Sequence, residues 1–489
     1  MAFGLSVVDF AVVTCVASAF ALYRLFSVPS HLRHIPTVPL LPLLYSYFSG
    51  EVEEQRIKRL VLPFAEKKDT SVVLVFCLGD WMVQVLDPKV GKQLLESPHV
   101  RKQPQPADML LWRLIGRNNV FMSDGAMWKR QSRIMHDALK QTTPVHVFAD
   151  LARTTMGILG DGGRVRWNDL TNRYTLDAVG TTVIGYDFQA LKHPHGSFVR
   201  RYHDVMAAIA SPAYVVFPKL ERWLPRRGVR KMVDDFVADF VGLINEKKLS
   251  PGNDVLTFMF DEPEMTEDEY RDNSIVTFIG GHDTTAGALS TSVYFLARDP
   301  ALQARVRAEV LAALGPEEPR AAHYAATPLL NAVIRESLRH NTPTNITVPR
   351  VADVPLDVGG WAVPPGTPMA LHMCAAHHNA RVFPRPDAFA PERFLREEDG
   401  AATLDGLGGG GAWVSFGLGA RRCPAKNFSL YEQRVLISML LREYRWTLPE
   451  DSVHRDFLKN GFSAFALSLP EKLDIDFVRI GEKPVPSPV

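Results

Sequence analysis

The chain has 489 residues, 46% of them hydrophobic and 22% charged, so it can bury a large core and is not a disordered polymer. A formal net charge of +1 gives no electrostatic footprint for nucleic acid. The four cysteines, Cys15, Cys77, Cys374 and Cys423, lie far apart with no CxxC pair. That spacing argues against a disulfide framework or a zinc site and points to a reducing compartment.

Residues Met1 to Tyr23 form an apolar run whose only charge is Asp9, long enough to span a bilayer as a helix, and Arg24 and Arg33 follow it. Positive charge on the carboxyl side favours keeping the rest of the chain in the cytosol. Ala19-Phe20-Ala21 has the look of a signal cleavage site, but no basic stretch precedes the run. We therefore read 1–23 as a transmembrane anchor, 24–45 as a stiff proline-rich linker, and 46–489 as the body of the protein.

Ser71 to Leu86 clusters Val, Leu, Phe and Trp around Gly79-Asp80 and predicts a β-hairpin. Helical patterns predominate beyond it. Asp124 to Arg133 carries Trp128, Arg130 and Arg133 on a basic helix, and Tyr202 to Leu224 is an unusually apolar span. Thr266-Glu267-Asp268-Glu269 predicts a capping box, and Asp299-Pro300 ends the pattern about 32 residues later. The middle of this helix reads Ile279-Gly280-Gly281-His282-Asp283-Thr284-Thr285. A glycine pair costs a helix interior about 1–2 kcal/mol, so something must favour it. We read a groove, in which absent side chains leave room for dioxygen and a loosened backbone lets water and Thr284 relay protons.

Leu329 to His340 is a further amphipathic helix in which Glu336 and Arg339, three apart, share a face. Gly360 to Thr367 reads as a hairpin. His372, Cys374, His377 and His378 invite a metal reading, but their spacing suits a tetrahedral site poorly. Gly406 to Gly411 lacks the Lys-Ser/Thr of a phosphate cradle. It leads into Ser415-Phe416-Gly417-Leu418-Gly419-Ala420-Arg421-Arg422-Cys423-Pro424-Ala425, followed by an apolar helical pattern from Phe428 to Leu441. A thiolate needs N–H donors, nearby cations and a metal to stay ionised, and this loop offers turn glycines, Arg421 and a helix start. Cys423 is accordingly read as the thiolate ligand of a haem iron. Near the end, Asn460 to Phe465 predicts a turn carrying Phe462 and Phe465.

The Cys423 stretch closely resembles the Phe-x-x-Gly-x-Arg-x-Cys-x-Gly signature of the cytochromes P450, with Phe416, Gly419, Arg421 and Cys423 matching and Ala425 standing where Gly is usual. The resemblance is to microsomal-type members, fungal-like in character, and covers the chain after the anchor. It implies a mainly α fold with small β-sheets, binding haem b through Cys423, Phe416 and Arg421. Trp128 and Arg350 would hold haem propionates, although Ser132 replaces the arginine expected four residues after Trp128. Gly280 to Thr284 is similar to the family's oxygen-activation motif, which makes Thr284 the oxygen-facing hydroxyl and Asp283 the proton-delivery acid. Glu336, Arg339 and Arg393 would form a buried structural triad, and the 202–224 span would be a lid that dips into a membrane. The implied activity is monooxygenation of a lipophilic molecule such as a terpenoid or other secondary metabolite. Phe278, Ile346, Val348, Phe462 and Phe465 would contribute to its pocket. Electrons would come from NADPH through NADPH-cytochrome P450 reductase, with cytochrome b5 as a further donor, because no flavin or nicotinamide fingerprint is present. Lys129, Arg130, Arg133, Arg422 and Lys426 would give the reductase a basic docking face. The implied location is the endoplasmic reticulum membrane, single-pass with a cytosolic catalytic domain. A haem-binding sensor or carrier, and a haem-thiolate isomerase or dehydratase, are the alternative readings.

Overall fold

In the computed structural model, the described residues are 23 and 26–481, except 107, 142–143, 261, 396–410 and 464–466. The predicted anchor and Phe465 therefore lie outside the described residues, and so does most of the 406–411 glycine run. Among the described residues no helix is long and apolar enough to cross a membrane. The proline-rich segment is docked on the body: Val38 N–H donates to Leu74 O at 3.0 Å and Leu74 N–H to Pro36 O at 2.8 Å.

The first elements are α1 (Leu40–Phe48), the hairpin β1 (Val72–Cys77) and β2 (Asp80–Val85), α2 (Pro88–Glu96) and β3 (Val100–Lys102). The hairpin closes through Leu78 and Gly79, both at positive φ, as a two-residue turn requires. Asp87 caps α2 by accepting from Lys89 and Val90 N–H, with Pro88 in the first turn. The longer elements that follow are α3 (Gly125–Gln141), α4 (Val145–Leu159), β4 (Gly162–Arg166), α5 (Trp167–Val179), α6 (Ser197–Ile209), α7 (Arg227–Leu249) and α8 (Glu267–Arg298). The last part comprises α9 (Pro328–His340), β5 (Arg350–Ala352), β6 (Met369–Leu371), α10 (Met373–His378), α11 (Lys426–Glu443), β7 (Tyr444–Thr447) and β8 (Asp474–Arg479). The five-stranded sheet runs β1-β2-β6-β5-β3, and β4-β8-β7 form a second sheet. The hairpin expected at 360–367 is Leu356–Val358 paired with Trp361–Val363, because Gly359 and Gly360 take the positive φ values of its turn.

The 32-residue α8 has the predicted capping box, Thr266 accepting from Glu269 N–H and Glu269 accepting from Thr266 N–H. At helical rise it is about 48 Å long, which explains why most of it is buried. One core lies among the helices around α8, and a smaller one is shared by the five-stranded sheet, α1 and α2.

The Glu336 carboxylate, wholly buried, accepts from Arg339 Nε at 2.7 Å and Nη2 at 2.9 Å, from Arg393 Nε at 3.1 Å and from Ala390 N–H at 2.9 Å. Arg339 continues to His377 O at 2.8 Å and Pro386 O at 2.8 Å. His377 Nε2 accepts from Val414 N–H at 2.9 Å, so its Nδ1–H donates to Thr342 Oγ1 at 2.7 Å. The triad thus ties α9 and α10 to the start of the Cys423 loop. The cluster weighed as a metal site is used differently: His372 meets Glu53 at 3.1 Å, and His378 Nδ1 donates to Cys374 O at 3.0 Å.

Burial holds His340 at about 3, and burial pushes His377 and His378 well below the ordinary imidazole range, with neighbouring cations adding to the effect. These rings stay neutral in the fold while the unfolded chain protonates them near pH 6.5. Stability is therefore expected to fall as pH drops below about 6.5, with a slope approaching about 1.4 kcal/mol per pH unit for each ring. Denaturant titrations between pH 7.5 and 5 check this; a midpoint that is flat in pH contradicts it.

Candidate active site

The Cys423 loop is shaped by two glycines at positive φ, Gly417 and Gly419. A Cβ on Gly419 would meet the exposed Glu96 side chain of α2 at 3.0 Å, and its positive φ disfavours any other residue. Cys423 N–H donates to Phe416 O at 2.8 Å, which folds the loop back on itself before α11 begins. Ala425 has φ −89°, an ordinary value for any residue, so the departure from glycine there strains nothing. Burial pushes the Cys423 thiol up to about 11, opposed by the Ala425 N–H and by Lys426. The sulfur is therefore a poor free thiolate and needs a bound metal to ionise at neutral pH.

Beside the loop stands a cluster of cations. Arg421 donates to Ser123 O at 2.8 Å, pairs with Asp124 and stacks over the Trp128 ring with its guanidinium carbon 4.1 Å from the centroid. Arg350 and Lys102 are direct cross-strand partners in β5 and β3. Burial, then Arg350 and Arg421, push Lys102 down to about 6. Burial and Arg421 likewise lower Arg350 to about 10. Three cations face a single carboxylate, Asp124, and their depressed values are those of a site short of negative charge. Sequence reasoning missed Lys102, since nothing local marks Arg101-Lys102 as more than a surface pair. Arg130 and Arg133 do not join the cluster: they pair with Glu269 and Glu262 beside the start of α8. The cation present beside Arg350 and Arg421 is instead the β3 lysine, Lys102, whose Nζ donates to Val120 O at 3.2 Å and to Phe121 O.

The long helix supplies the opposite wall. Gly280 is exposed within an otherwise buried stretch, and a Cβ there would meet nothing within 4 Å. Gly281 is different, since its Cβ would lie 2.9 Å from Val179 of α5. One glycine opens the groove; the other lets two helices approach. Thr284 Oγ1 donates to Gly280 O at 2.7 Å, so its lone pairs remain available to the half-open space. Thr285 Oγ1 lies 3.0 Å from Ser429 Oγ of α11, which ties this turn of α8 to the helix that follows Cys423. Asp283 does not share the groove. It lies about 100° round the helix from Thr284, with Oδ2 accepting from Tyr202 of α6 at 2.7 Å and Oδ1 3.0 Å from His282 Nδ1. Burial would raise this carboxyl, but His282, Tyr202 and His203 outweigh it and hold it below the ordinary range. Phe278, expected in the pocket wall, is wholly buried against Phe188, Phe198 and Phe240 and belongs to the core.

A loop cysteine, a cluster of anion-seeking cations and a helix with one open glycine form the setting, and the cytochrome P450 family model matches residues 36–475. The chain belongs to the cytochrome P450 family. It is similar to the cytochrome P450 monooxygenase xanG of Aspergillus fumigatus, 24% identical with 77% of this chain and 76% of that protein covered. It is also similar to the putative cytochrome P450 135A1 of Mycobacterium tuberculosis, 26% identical with 80% and 85% covered. The crystal structure of the cytochrome P450DA heme domain shares its fold, with a TM-score of 0.78 at 22% identity over 91% of this chain and 98% of that one. The protein is thus a haem-thiolate monooxygenase, an oxidoreductase, and its residues suit that group. Cys423 would ligate the iron, and Arg350, Lys102 and Arg421 would supply charge for a haem's carboxylates.

Two substitutions test this assignment. Cys423→Ala is expected to abolish the red-shifted Soret band of the carbon monoxide difference spectrum, and survival of the band would disprove the ligand. Lys102→Met is expected to speed haem loss to apomyoglobin by about tenfold to a hundredfold, the worth of one charge-assisted hydrogen bond.

Proposed function

We propose that the enzyme inserts one oxygen atom of dioxygen into a lipophilic small molecule, such as a terpenoid or other secondary metabolite. Electrons pass from NADPH through NADPH-cytochrome P450 reductase, with cytochrome b5 as an additional donor. The observation that carries the reading is the half-open Thr284 hydroxyl beside Gly280, on the turn of α8 tied by Thr285 to the helix after Cys423. When bound, the haem supplies dioxygen activation and redox chemistry that no side chain of the protein has. The chain supplies the rest. Thr284 passes protons at Oγ1, Asp283 resupplies them, and Gly280 leaves space for the small reactant. A haem sensor or an isomerase has no use for such proton supply, which argues for turnover.

Half-buried Ile346, Val348 and Phe462 support an apolar substrate. Exposed Lys129 and Arg422 support an acidic electron donor, with Lys426 beside the Trp413 ring 5.5 Å away. For location we propose the endoplasmic reticulum membrane, with residues 1–23 as a single-pass anchor and the catalytic domain in the cytosol. Besides the apolar run itself, Leu41 and Tyr45 of α1, 77% and 73% exposed, support this, as does Trp223, 78% exposed. Phe48 stacks on Phe217, bringing α1 beside that part of the lid.

Reconstitution with NADPH and reductase is expected to give oxygenated product from a lipophilic ligand that perturbs the haem spectrum. Thr284→Ala is expected to keep NADPH consumption while product per NADPH falls about tenfold or more and hydrogen peroxide rises. An unchanged ratio of product to NADPH would remove Thr284 from the relay.

A further inference from the structure

Behind Asp283, on the side of α8 turned away from Thr284, lies a group of polar rings. His282 is wholly buried, yet neither of its ring nitrogens has a well-aligned hydrogen bond, although Nδ1 is 3.0 Å from Asp283 Oδ1. An unsatisfied polar group in a core costs about 1–3 kcal/mol, so an imidazole left in this state calls for a reason. Its ring stacks on Phe278 at 6.1 Å between centroids and meets Tyr202 edge-on at 5.3 Å. The ring of His203, which reaches solvent, lies 6.4 Å away by centroids. Tyr202 and His203 both sit on α6, where the lid begins.

We propose that His282 is the proton reservoir of Asp283, and that Tyr202 is a positioning residue that couples this supply to the placement of α6. The proposal rests on the monooxygenase reading above. The imidazolium Nδ1–H passes its proton to Asp283 Oδ1, leaving neutral imidazole and a carboxylic acid. Asp283 releases that proton toward Thr284 when its carboxyl turns from Tyr202. The vacant Nδ1 then regains a proton from solvent by way of His203, which restores the imidazolium. No electrons move, and the net event is one proton carried from solvent to the groove. The groups that set this balance are Tyr202, His203 and Asp204 on α6, Asp283 on α8, and Asp169 of α5, which acts on His203. From α7 the neighbours are apolar, Phe236 against Tyr202 and Phe240 against Phe278.

The test uses the full haem-loaded protein and two variants. His282→Asn keeps a donor near the Nδ1 position but cannot titrate, and Tyr202→Phe removes one oxygen atom. In the wild type, product per NADPH should fall as pH rises. In His282→Asn it should be low and flat in pH, with peroxide per NADPH at least about tenfold higher. Long-range proton–nitrogen spectra of histidine-labelled protein give a readout independent of turnover, in which the His282 ring signal should shift in Tyr202→Phe. A His282 signal that ignores Tyr202→Phe, or a pH profile unchanged in His282→Asn, overturns the proposal. Should His282→Asn fail to retain haem, Tyr202→Phe decides by the ring signal and by its own displaced pH profile. Absence of any oxygenated product from the wild type would instead refute the functional reading, and the ring signal would still decide this one.

Discussion

The Glu336 carboxylate is the point on which the arrangement hangs. Wholly buried, it is tolerable only because four N–H donors converge on it, two of them from Arg339, one from Arg393 and one from Ala390. Arg339 in turn caps carbonyls of α10 and of the segment after it, and His377 accepts from the first residues of the Cys423 approach. The cysteine loop has little regular structure of its own, so its position is inherited from this chain of bonds. Replacing one member leaves charges buried without partners, a penalty of about 3–5 kcal/mol, far larger than that of any exposed ion pair.

What could be read from the sequence is what depends on local order. The capping box at Thr266, the length of α8 and the loop ending at Cys423 are written in neighbouring residues, and the structure has each of them. What was not legible is direction. Asp283 and Thr284 are adjacent in sequence, but a helix turns about 100° per residue, so the acid faces α6 and the hydroxyl faces the groove. Gly280 and Gly281 look alike in a string of letters, yet only the position of Val179, a hundred residues earlier, separates the open glycine from the packed one. Arg130 and Arg133 read as a basic helix face in the sequence, yet each pairs with an acid near the start of α8.

The two walls of the site are built on different principles. The Cys423 side is fixed by many buried hydrogen bonds and has few alternatives. The α8 side is anchored on α5 and α11, while α6, an amphipathic element at the start of the lid, meets it by aromatic packing and the Tyr202 hydroxyl. A rigid wall suits a permanent ligand, and a more adjustable wall suits a substrate that must enter and leave.

The pairing of Lys102 with Arg350 also bears on how the molecule is made. These residues meet across two three-residue strands joined from opposite halves of the chain, so the contact has a large loop-closure cost. Burial and Arg350 disfavour the charge on Lys102, whose Nζ is partly compensated by donating to Val120 O at 3.2 Å and to Phe121 O. An anion bound at this edge would offset the repulsion between the two cations and favour the paired strands over the open ones.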